Sequence, residues 1–365
     1  MQHAASCYSD RFPELLARLP PDIELDVLAA EHKAIERCRE VGDGATLLRL
    51  AFARGPGELS LRDTASWASA AGIAALSNPA VKYRLDKSVE FLKAILERQL
   101  AAAAGSQDLL WPGRSLRAAD GTTISKPGSS GTDWRVHGVF DLGAGGFTTL
   151  ELTDGRGAES LGRGRPVAGE VRIGDRYFAR ARDLAHYREV SHGAADFIVR
   201  VRWNGFRLTR PNGRKFDLIK HLRALPQRSA THEVEVRAAV QGTQTLPLRL
   251  IILRKTPEQA AATIKQLRTR ANRKQQQLDP RSEVAAHFLI LATSLAAADY
   301  PADEILTAYR LRWQIELAFK RLKSLLHIDR MPTHTDRASR SWLYAHLILA
   351  LICDDLSQEV LESFP

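Results

Sequence analysis

The sequence is poor in cysteine and methionine, with 3 Cys and 2 Met among 365 residues. The cysteines, Cys7, Cys38 and Cys353, lie far apart along the chain and show no CxxC or CxxH spacing. This scarcity argues against a disulfide framework and against a zinc site, and it favours a reducing compartment such as the cytoplasm.

Long apolar runs are also missing. The N-terminal segment has no apolar stretch of the kind that signal peptides carry. The run from Leu343 to Cys353 is too short to span a bilayer, and two aspartates follow it. We therefore expect a buried helix there and no membrane partner. The longer helix around Trp342–Leu356 fits a dimer contact and an internal core helix equally well.

What the chain does contain is positive charge. Lys and Arg total 52 against 42 Asp and Glu, which gives a formal net charge of +10 and a pI near 9.7. That excess favours an anionic partner such as nucleic acid. A chain of this length can bury a large core, and two or three structural units are expected.

The segment from Tyr309 to Lys323 combines four polar groups at helical spacing. At about 100° per residue, Arg312, Glu316 and Lys323 lie about 60°, 20° and 40° from Tyr309 around the helix axis. A phenol, a guanidinium, a carboxylate and an ammonium thus share one stripe, which suits a metal-dependent reaction on a polyanion. The alternative is a solvated amphipathic helix with an ordinary Glu–Lys face.

These four residues and their flanks resemble the Tyr-x2-Arg-x3-Glu-x6-Lys signature of DDE transposases of the insertion-sequence-four family. The resemblance implies that Glu316 is the third metal-binding carboxylate. It also implies that Tyr309, Arg312 and Lys323 bind DNA phosphates. The expected fold is α/β: an RNase H-like catalytic core with a β-rich insertion and an α-helical N-terminal domain.

Two further carboxylates stand at predicted strand ends, where ligand-binding side chains are common. Asp120 follows the strand Ser115–Ala119, and Asp175 follows the strand at 171–174. The resemblance selects the same two, since Asp120-Gly-Thr is similar to the first Asp box of the family and Gly174-Asp175-Arg176 to the second. The predicted catalytic and metal-binding set is therefore Asp120, Asp175 and Glu316, with two Mg²⁺ ions for which Mn²⁺ can substitute.

Other interpretations of these carboxylates stay open. Asp120 precedes a glycine and could be a turn residue. Asp133, Asp141 or Asp154 could take its place. Asp175 could form a surface ion pair with the neighbouring arginine, which would need no metal.

Further DNA contacts are expected outside the signature. Arg200 and Arg202 lie on a segment similar to the family strand after the second Asp, and both could face the DNA backbone. Some members of the family flip a base onto an inserted Trp, but residues 205–285 contain no Trp and only Phe206 and Phe216 as aromatics. This departure from the family weakens the expectation of base flipping and of any hairpin step that depends on it.

The N-terminal region is rich in Ala and Leu, and part of it has the pattern of a helix-turn-helix. A first helix over 61–68 and a turn at 72–73 precede a second helix over 80–87, with Ser77 as N-cap and a proline in the first turn. Basic side chains on this second helix, Lys82 and Arg84 above all, could meet DNA. A plain helical hairpin with a solvated basic face is the alternative.

The chain divides into five expected segments. Residues 1–105 form a helical DNA-binding region and 106–204 the first part of the core. Residues 205–285 form the β-rich insertion, 286–330 the second part of the core with the signature helix, and 331–365 a C-terminal helical segment. Within them the patterns predict strands over Trp134–Leu142, Phe147–Thr153, Glu233–Val240 and Leu246–Leu253, and helices over Tyr177–Tyr187, Glu258–Gln277 and Tyr300–Leu326.

The function that the resemblance implies is DNA transposition. The chain would bind the terminal inverted repeats of an insertion sequence as a synaptic homodimer, in the cytoplasm of a bacterium at the nucleoid. It would cut the strand and transfer it to target DNA. The competing hypotheses are a non-catalytic DNA-binding regulator or decayed transposase, and an RNase H-like nuclease without strand transfer.

Overall fold

The structure, a computed structural model, describes residues 10–103, 108–226 and 230–363, with side chains up to residue 354. Cys7 lies outside these residues. None of the helices in the described ranges combines the length and the apolar character that crossing a bilayer requires.

The first hundred residues form helices joined by short loops. The predicted helix-turn-helix pair is present, and the hydroxyl oxygen of Ser77 accepts a hydrogen bond from the N–H of Ala80 (3.4 Å) at the start of the second helix. A proline in the first turn supports this cap, because it has no N–H to leave unpaired. The helices are α1 (Phe12–Leu16), α2 (Leu25–Glu31), α3 (Gly44–Arg54), α4 (Leu61–Ala70), α5 (Asn78–Lys87) and α6 (Val89–Ala102).

A single mixed sheet of nine strands follows, in the order β3-β2-β1-β4-β5-β9-β8-β7-β6. The predicted strands all appear. Those predicted over Trp134–Leu142, Phe147–Thr153, Glu233–Val240 and Leu246–Leu253 have ends shifted by at most two residues. The strands are β1 (Ser115–Ile124), β2 (Trp134–Asp141), β3 (Gly146–Asp154), β4 (Glu170–Gly174), β5 (Asp196–Arg200), β6 (Leu208–Thr209), β7 (Thr231–Ala239), β8 (Thr245–Arg254) and β9 (Phe288–Thr293).

The first five strands have the arrangement that fits an RNase H-like core. β1, β2 and β3 form an antiparallel meander, and β1 pairs in parallel with β4, which pairs in parallel with β5. One expectation is corrected here. β1 does not end before Asp120 but continues to Ile124, so Asp120 lies inside the strand, opposite Gly138 of β2.

The insertion extends this sheet instead of forming a separate one. β9 pairs antiparallel with β5 on one side and with β8 on the other, and β7 and β6 follow outward. The region expected to be β-rich also contains much helix. These helices are α8 (Leu218–Ala224), α9 (Pro257–Arg273) and α10 (Pro280–Ala286). α9 ends four residues earlier than predicted.

The signature segment is not one helix. It forms α11 (Ala302–Leu311) and α12 (Trp313–Leu326), which meet at Arg312. The N–H of Arg312 donates to the carbonyl of Tyr309, and the N–H of Ile315 donates to the carbonyl of Arg312, each over 3.3 Å. These i→i+3 bonds tighten one turn in the manner of a 3₁₀-helix, so a uniform 100° per residue does not hold across the signature.

Two hydrophobic cores cover the two faces of the sheet. One contains Leu161, Leu184 and Phe197 together with residues of α8 and the insertion strands; α7 (Ala181–Val190) belongs to it and begins four residues later than predicted. The other joins the N-terminal helices, α12 and α13 (Asp336–Ser363).

α13 is the internal helix of this second core. Its residues Leu343, Leu347 and Ile348 are fully buried, and it contacts α3, α5 and α6. Over the residues whose side chains are described, the core interpretation of the C-terminal helix is thus supported.

Candidate active site

Asp120 lies on the face of β1 that packs against α12. Side chains alternate along a strand, so Asp120 shares the face of Ala118, which belongs to the core that contains Ile315 and Phe319. One carboxylate oxygen of Asp120, Oδ1, accepts a hydrogen bond from the N–H of Gly121 (2.8 Å). The pKa of Asp120 is raised to about 6, mainly by burial, with smaller contributions from the negative charges of Asp175 and Glu316.

The effect of Asp175 and Glu316 on the pKa of Asp120 indicates that both carboxylates lie near Asp120. Asp175 follows β4 directly, and its Oδ1 accepts a hydrogen bond from the N–H of Tyr177 (2.7 Å). Glu316 lies in the first turn of α12. A strand end and a helix, both remote from β1 along the chain, thus each present an acidic group near Asp120.

Glu316 is held by the arginine of the signature. Arg312 Nη2 donates to Glu316 Oε1 over 2.5 Å, and the Glu316 side chain is 54% exposed against 17% for Arg312. The guanidinium also lowers the pKa of Asp120, against the stronger effect of burial on that carboxyl. Arg312 therefore supplies positive charge to two of the three carboxylates.

The phenol of the signature lies on the other side of Arg312. The guanidinium is 5.8 Å from the ring centroid of Tyr309, and burial raises the pKa of the Tyr309 hydroxyl. The charges of Arg312 and Arg200 act on the same hydroxyl in the opposite direction. Arg200, predicted from sequence as a DNA contact, is thus close to the signature residues.

An open cavity of about 600 Å³ runs along α12 beside these groups. Asp120 and Glu316 form part of its wall, and the half-buried Lys323 forms another part. Such a wall suits a phosphodiester: the carboxylates can hold metal cations, and the cationic side chains can contact the phosphate. Its lining consists of Asp120, Gly121, Thr122, Glu316, Phe319, Lys320, Lys323, Ser324, His327, Asp329 and Arg330.

Comparison with known proteins places the chain in a family. A family model described as "Transposase DDE domain" matches residues 111–352, a range that contains all three carboxylates. The chain belongs to the DDE transposases of the insertion-sequence-four type.

Curated relatives agree with this assignment along the whole chain. A putative transposase InsL for insertion sequence element IS186A from Escherichia coli (strain K12) is 38% identical over 360 residues, which cover 98% of this chain and 96% of the relative. A transposase for insertion sequence element IS421 from Escherichia coli is 38% identical over 361 residues, with the same coverage. A transposase for insertion sequence element IS231F from Bacillus thuringiensis subsp. israelensis is 25% identical over 304 residues, or 73% of this chain and 63% of the relative.

The other DNA-contact candidates of the transposase lie in two places. Arg202 is exposed, and its guanidinium is 4.9 Å from the ring centroid of Tyr177, two residues after Asp175. Lys82 and Arg84 lie on α5, where Lys82 is paired with Asp86 in the same helix. The structure therefore groups Arg200 and Arg202 with the signature residues and leaves the two α5 cations on a different surface.

The alternatives to Asp120 have other partners. Asp141 is fully buried and forms an ion pair with Arg117 (3.1 Å). Asp133 accepts a hydrogen bond from the N–H of Lys126, and Asp154 accepts one from the N–H of Arg156. In the described part of the chain Asp175 forms no ion pair with Arg176, whose guanidinium lies over a tyrosine ring instead.

Glu159 is an acidic residue near this site that sequence reasoning did not select. It lies in the loop between β3 and β4 and pairs with Arg135 (3.3 Å). Its Oε1 would be 3.4 Å from a Cβ added at Gly121, next to Asp120. Burial raises the pKa of Glu159, and the charge of Asp175 adds to the rise. No motif surrounds Glu159, so only the fold reveals it.

The two aromatic residues of the insertion pack against a hydrophobic core. Phe216 is buried, and Phe206 is half-buried against the same core. Trp203, just before the insertion, donates its indole N–H to the hydroxyl of Ser282 (3.1 Å). Trp313 is different, because it follows Arg312 directly and is 52% exposed.

The donor set of the transposase fits a hard divalent cation in chemistry. Carboxylate oxygens are the ligands that Mg²⁺ prefers, and Asp120 is destabilised as an anion by burial and by its acidic neighbours. In the described residues no group of three His, Cys, Asp or Glu side chains is arranged to hold a metal. Glu316 accepts a hydrogen bond from Arg312 and Asp175 accepts one from a backbone N–H, so these two oxygens would have to turn in order to bind an ion.

Proposed function

We propose that this chain cuts DNA at the ends of an insertion sequence and joins the freed 3′ end to target DNA in one metal-dependent site. The membership in the DDE transposases supports the reaction class. The observation that carries the assignment of residues is the coupling of Asp120 with Asp175 and Glu316, beside a cavity that also has cationic walls.

The three carboxylates would hold two Mg²⁺ ions, or Mn²⁺ in their place. When bound, such ions activate the attacking oxygen and stabilise the leaving oxygen of a phosphodiester. Asp120 must lose its proton to act as a ligand. Its raised pKa makes that loss harder, and a nearby positive charge makes it easier. Glu316 must give up its bond to Arg312, which is then available for a phosphate.

The cations around the carboxylates would position the DNA strand. Arg312 offers a planar pair of N–H donors that matches a phosphate, whereas Lys323 offers a mobile point charge. Tyr309 can donate its hydroxyl hydrogen, because burial keeps the hydroxyl protonated. Arg200 and Arg202 would extend this positive surface along the duplex.

The same proposal gives each segment a role. Residues 106–204 and 286–330 would form the catalytic core, with 205–285 inserted and 331–365 as a helical support. Residues 1–105 would bind the terminal inverted repeats, and a homodimer would hold two ends together in a synaptic complex.

A labelled duplex carrying one end of the insertion sequence tests the proposal, with Mg²⁺ or Mn²⁺ and a supercoiled target plasmid. The wild-type chain should yield a nicked end and a joined product. Glu316→Gln should bind the end with unchanged affinity and yield neither, because the amide cannot serve as an anionic ligand. Normal cleavage by Glu316→Gln would show that Glu316 is not a metal ligand.

The same assay separates the competing functions. Binding without cleavage by the wild-type chain would identify a DNA-binding regulator or a decayed transposase. Cleavage without a joined product would identify an RNase H-like nuclease.

A further inference from the structure

A basic loop, defined here as residues 33–40, is fastened to the helix-turn-helix pair. The N–H of Ala75, in the turn between α4 and α5, donates to the carboxylate of Glu40 (3.1 Å). At the other end of the pair, Arg84 Nη2 donates to the backbone carbonyl of Arg37 (3.3 Å). A loop held at both the turn and the second helix has a fixed position beside them.

Fastening the loop creates a groove of about 350 Å³ between it and α5. Five of the lining side chains are cations and one, Glu36, is an anion, which lies 3.7 Å from Lys87. Tyr83 is 55% exposed on the helix side of the groove. The lining residues are Lys33, Ala34, Glu36, Arg37, Arg39, Tyr83, Arg84 and Lys87.

The opposite side of α5 has less excess positive charge, because its cavity is lined by two cations, Arg54 and Lys82, and one anion, Asp86. Lys82, one residue before Tyr83, is paired with Asp86. These two residues line a small, mainly apolar cavity that also contains Trp342 of α13. The excess positive charge of this region therefore lies mainly on the groove side of α5.

We propose that this groove binds the sugar–phosphate backbone of duplex DNA, with the basic loop and the second half of α5 as its two walls. The inference rests on the proposed function, because it names where the N-terminal region grips the DNA. Exposed arginine and lysine side chains on both walls can contact successive phosphates, and a hydroxyl such as that of Tyr83 can donate to one.

A strip of cations is what a polyanion requires. A single small anion is satisfied by two or three donors, whereas the groove has cations distributed along a loop and a helix. Each phosphate neutralised by a protein cation releases counterions, so log K falls with log salt at a slope near 0.9 per contact. The number of backbone contacts is therefore measurable.

The test measures how the affinity of the full-length chain for a fluorescein-labelled end duplex depends on salt. Fluorescence anisotropy reports binding, and EDTA is present so that no cleavage occurs. The double variant Arg37→Ala, Arg39→Ala should lose about tenfold or more in affinity at 0.15 M salt, and its slope should be smaller by about 1 to 2. Arg37 contributes its carbonyl, not its side chain, to the contact with Arg84, so the loop should stay fastened.

Three control variants make the test specific. Arg62→Ala removes an exposed arginine of α4 outside the groove and should leave the slope unchanged. Lys82→Ala, on the side of α5 away from the groove and already paired with Asp86, should change the slope by less than about 0.5. Arg37→Lys, Arg39→Lys keeps the charges and should restore most of the slope.

The outcomes separate this inference from the proposed function. If the double alanine variant has an unchanged slope while the wild-type chain binds the duplex, the groove does not contact DNA. The proposed function would still stand. A loss of slope with Lys82→Ala instead would move the contact to the other side of α5. A wild-type chain that binds no end duplex would contradict the proposed function itself.

Discussion

Arg312 donates to Glu316 over 2.5 Å at the point where α11 ends and α12 begins. The i→i+3 turn at Arg312 sets its side chain between Tyr309 on one helix and Glu316 on the next. The same guanidinium thus neutralises a proposed metal ligand and belongs to the set proposed to bind phosphate. We infer that metal and arginine compete for Glu316.

Replacing the arginine should therefore separate metal binding from catalysis. Arg312→Ala should bind Mn²⁺ a few-fold more tightly in the absence of DNA, because Glu316 no longer has to leave a charge-assisted hydrogen bond. Cleavage should fall by about tenfold or more, since one phosphate-binding group is lost. Titration of free Mn²⁺ by electron paramagnetic resonance measures the affinity. Arg321→Ala, an exposed arginine of α12, is the matched control, and equal Mn²⁺ affinity in all three proteins would exclude the competition.

Asp120 should oppose folding at neutral pH when no metal is present. Its pKa of about 6 lies above the usual value, so the folded chain binds this proton more tightly than the unfolded chain does. The contribution of this group to the free energy of unfolding is complete below about pH 4 and is lost as the pH rises through 6.

Asp120→Asn should consequently stabilise the metal-free chain at pH 8, by on the order of 1 kcal/mol after allowance for solvent screening. The gain should shrink toward pH 4.5. Thermal unfolding in EDTA at the two pH values measures it. A variant less stable than the wild type at pH 8 would show that the carboxylate is not destabilised there. Added Mn²⁺ should raise the Tm of the wild type but not of the variant.

Glu159 should strengthen metal binding through its charge beside Asp175. Glu159→Gln removes one negative charge from the site while it leaves the proposed ligands in place. We expect the metal concentration for half-maximal cleavage to rise a few-fold, with nearly normal cleavage at saturating metal. Glu151→Gln is the control, because Glu151 forms a similar pair with Arg163 (2.6 Å). If both variants require the same metal concentration for half-maximal cleavage, Glu159 does not contribute to metal binding.

Gly138 leaves the space that brings α12 close to β1. A Cβ at this position would lie 2.8 Å from atoms of both Phe147 and Phe319, and Phe319 is one turn after Glu316. Gly138→Ala should cost about 1–3 kcal/mol of stability by overpacking. It should also lower cleavage, because α12 must move away from Asp120.

A second substitution tests that explanation. Phe319→Leu makes room for the added methyl group, so the double variant should be less destabilised than the two single changes together. Additive losses in urea unfolding would show that the methyl group and the ring do not conflict.

The sequence predicts most of the sheet and selects Glu316 as a candidate metal ligand. β2, β3, β7 and β8 follow their alternating patterns to within two residues, and Ser77 caps α5 as expected. Glu316 could be chosen because it sits among three other signature residues at fixed spacing. The extension of β1 beyond Asp120 also had a signal, since Thr122 and Thr123 are β-branched and favour strands.

The remaining features depend on contacts between distant parts of the chain. No glycine or proline marks the break at Arg312, because the tightened turn keeps helical dihedral angles. Glu159 and the basic loop carry no motif, and only tertiary packing brings them beside Asp175 and α5. The pairing of Lys82 with Asp86, at i and i+4, was visible in the sequence and reduces the value of Lys82 as a DNA contact.

The central claim is that Asp120, Asp175 and Glu316 bind the same divalent ions during strand cleavage. Metal rescue tests it most directly, because a thiolate binds Mn²⁺ better than it binds Mg²⁺. Each carboxylate is changed to Cys in turn, with Glu151→Cys as a control that should cleave with either ion. We predict no cleavage with Mg²⁺ and partial recovery with Mn²⁺ for all three variants. Cleavage at the wild-type rate with Mg²⁺ by any of the three would contradict the account.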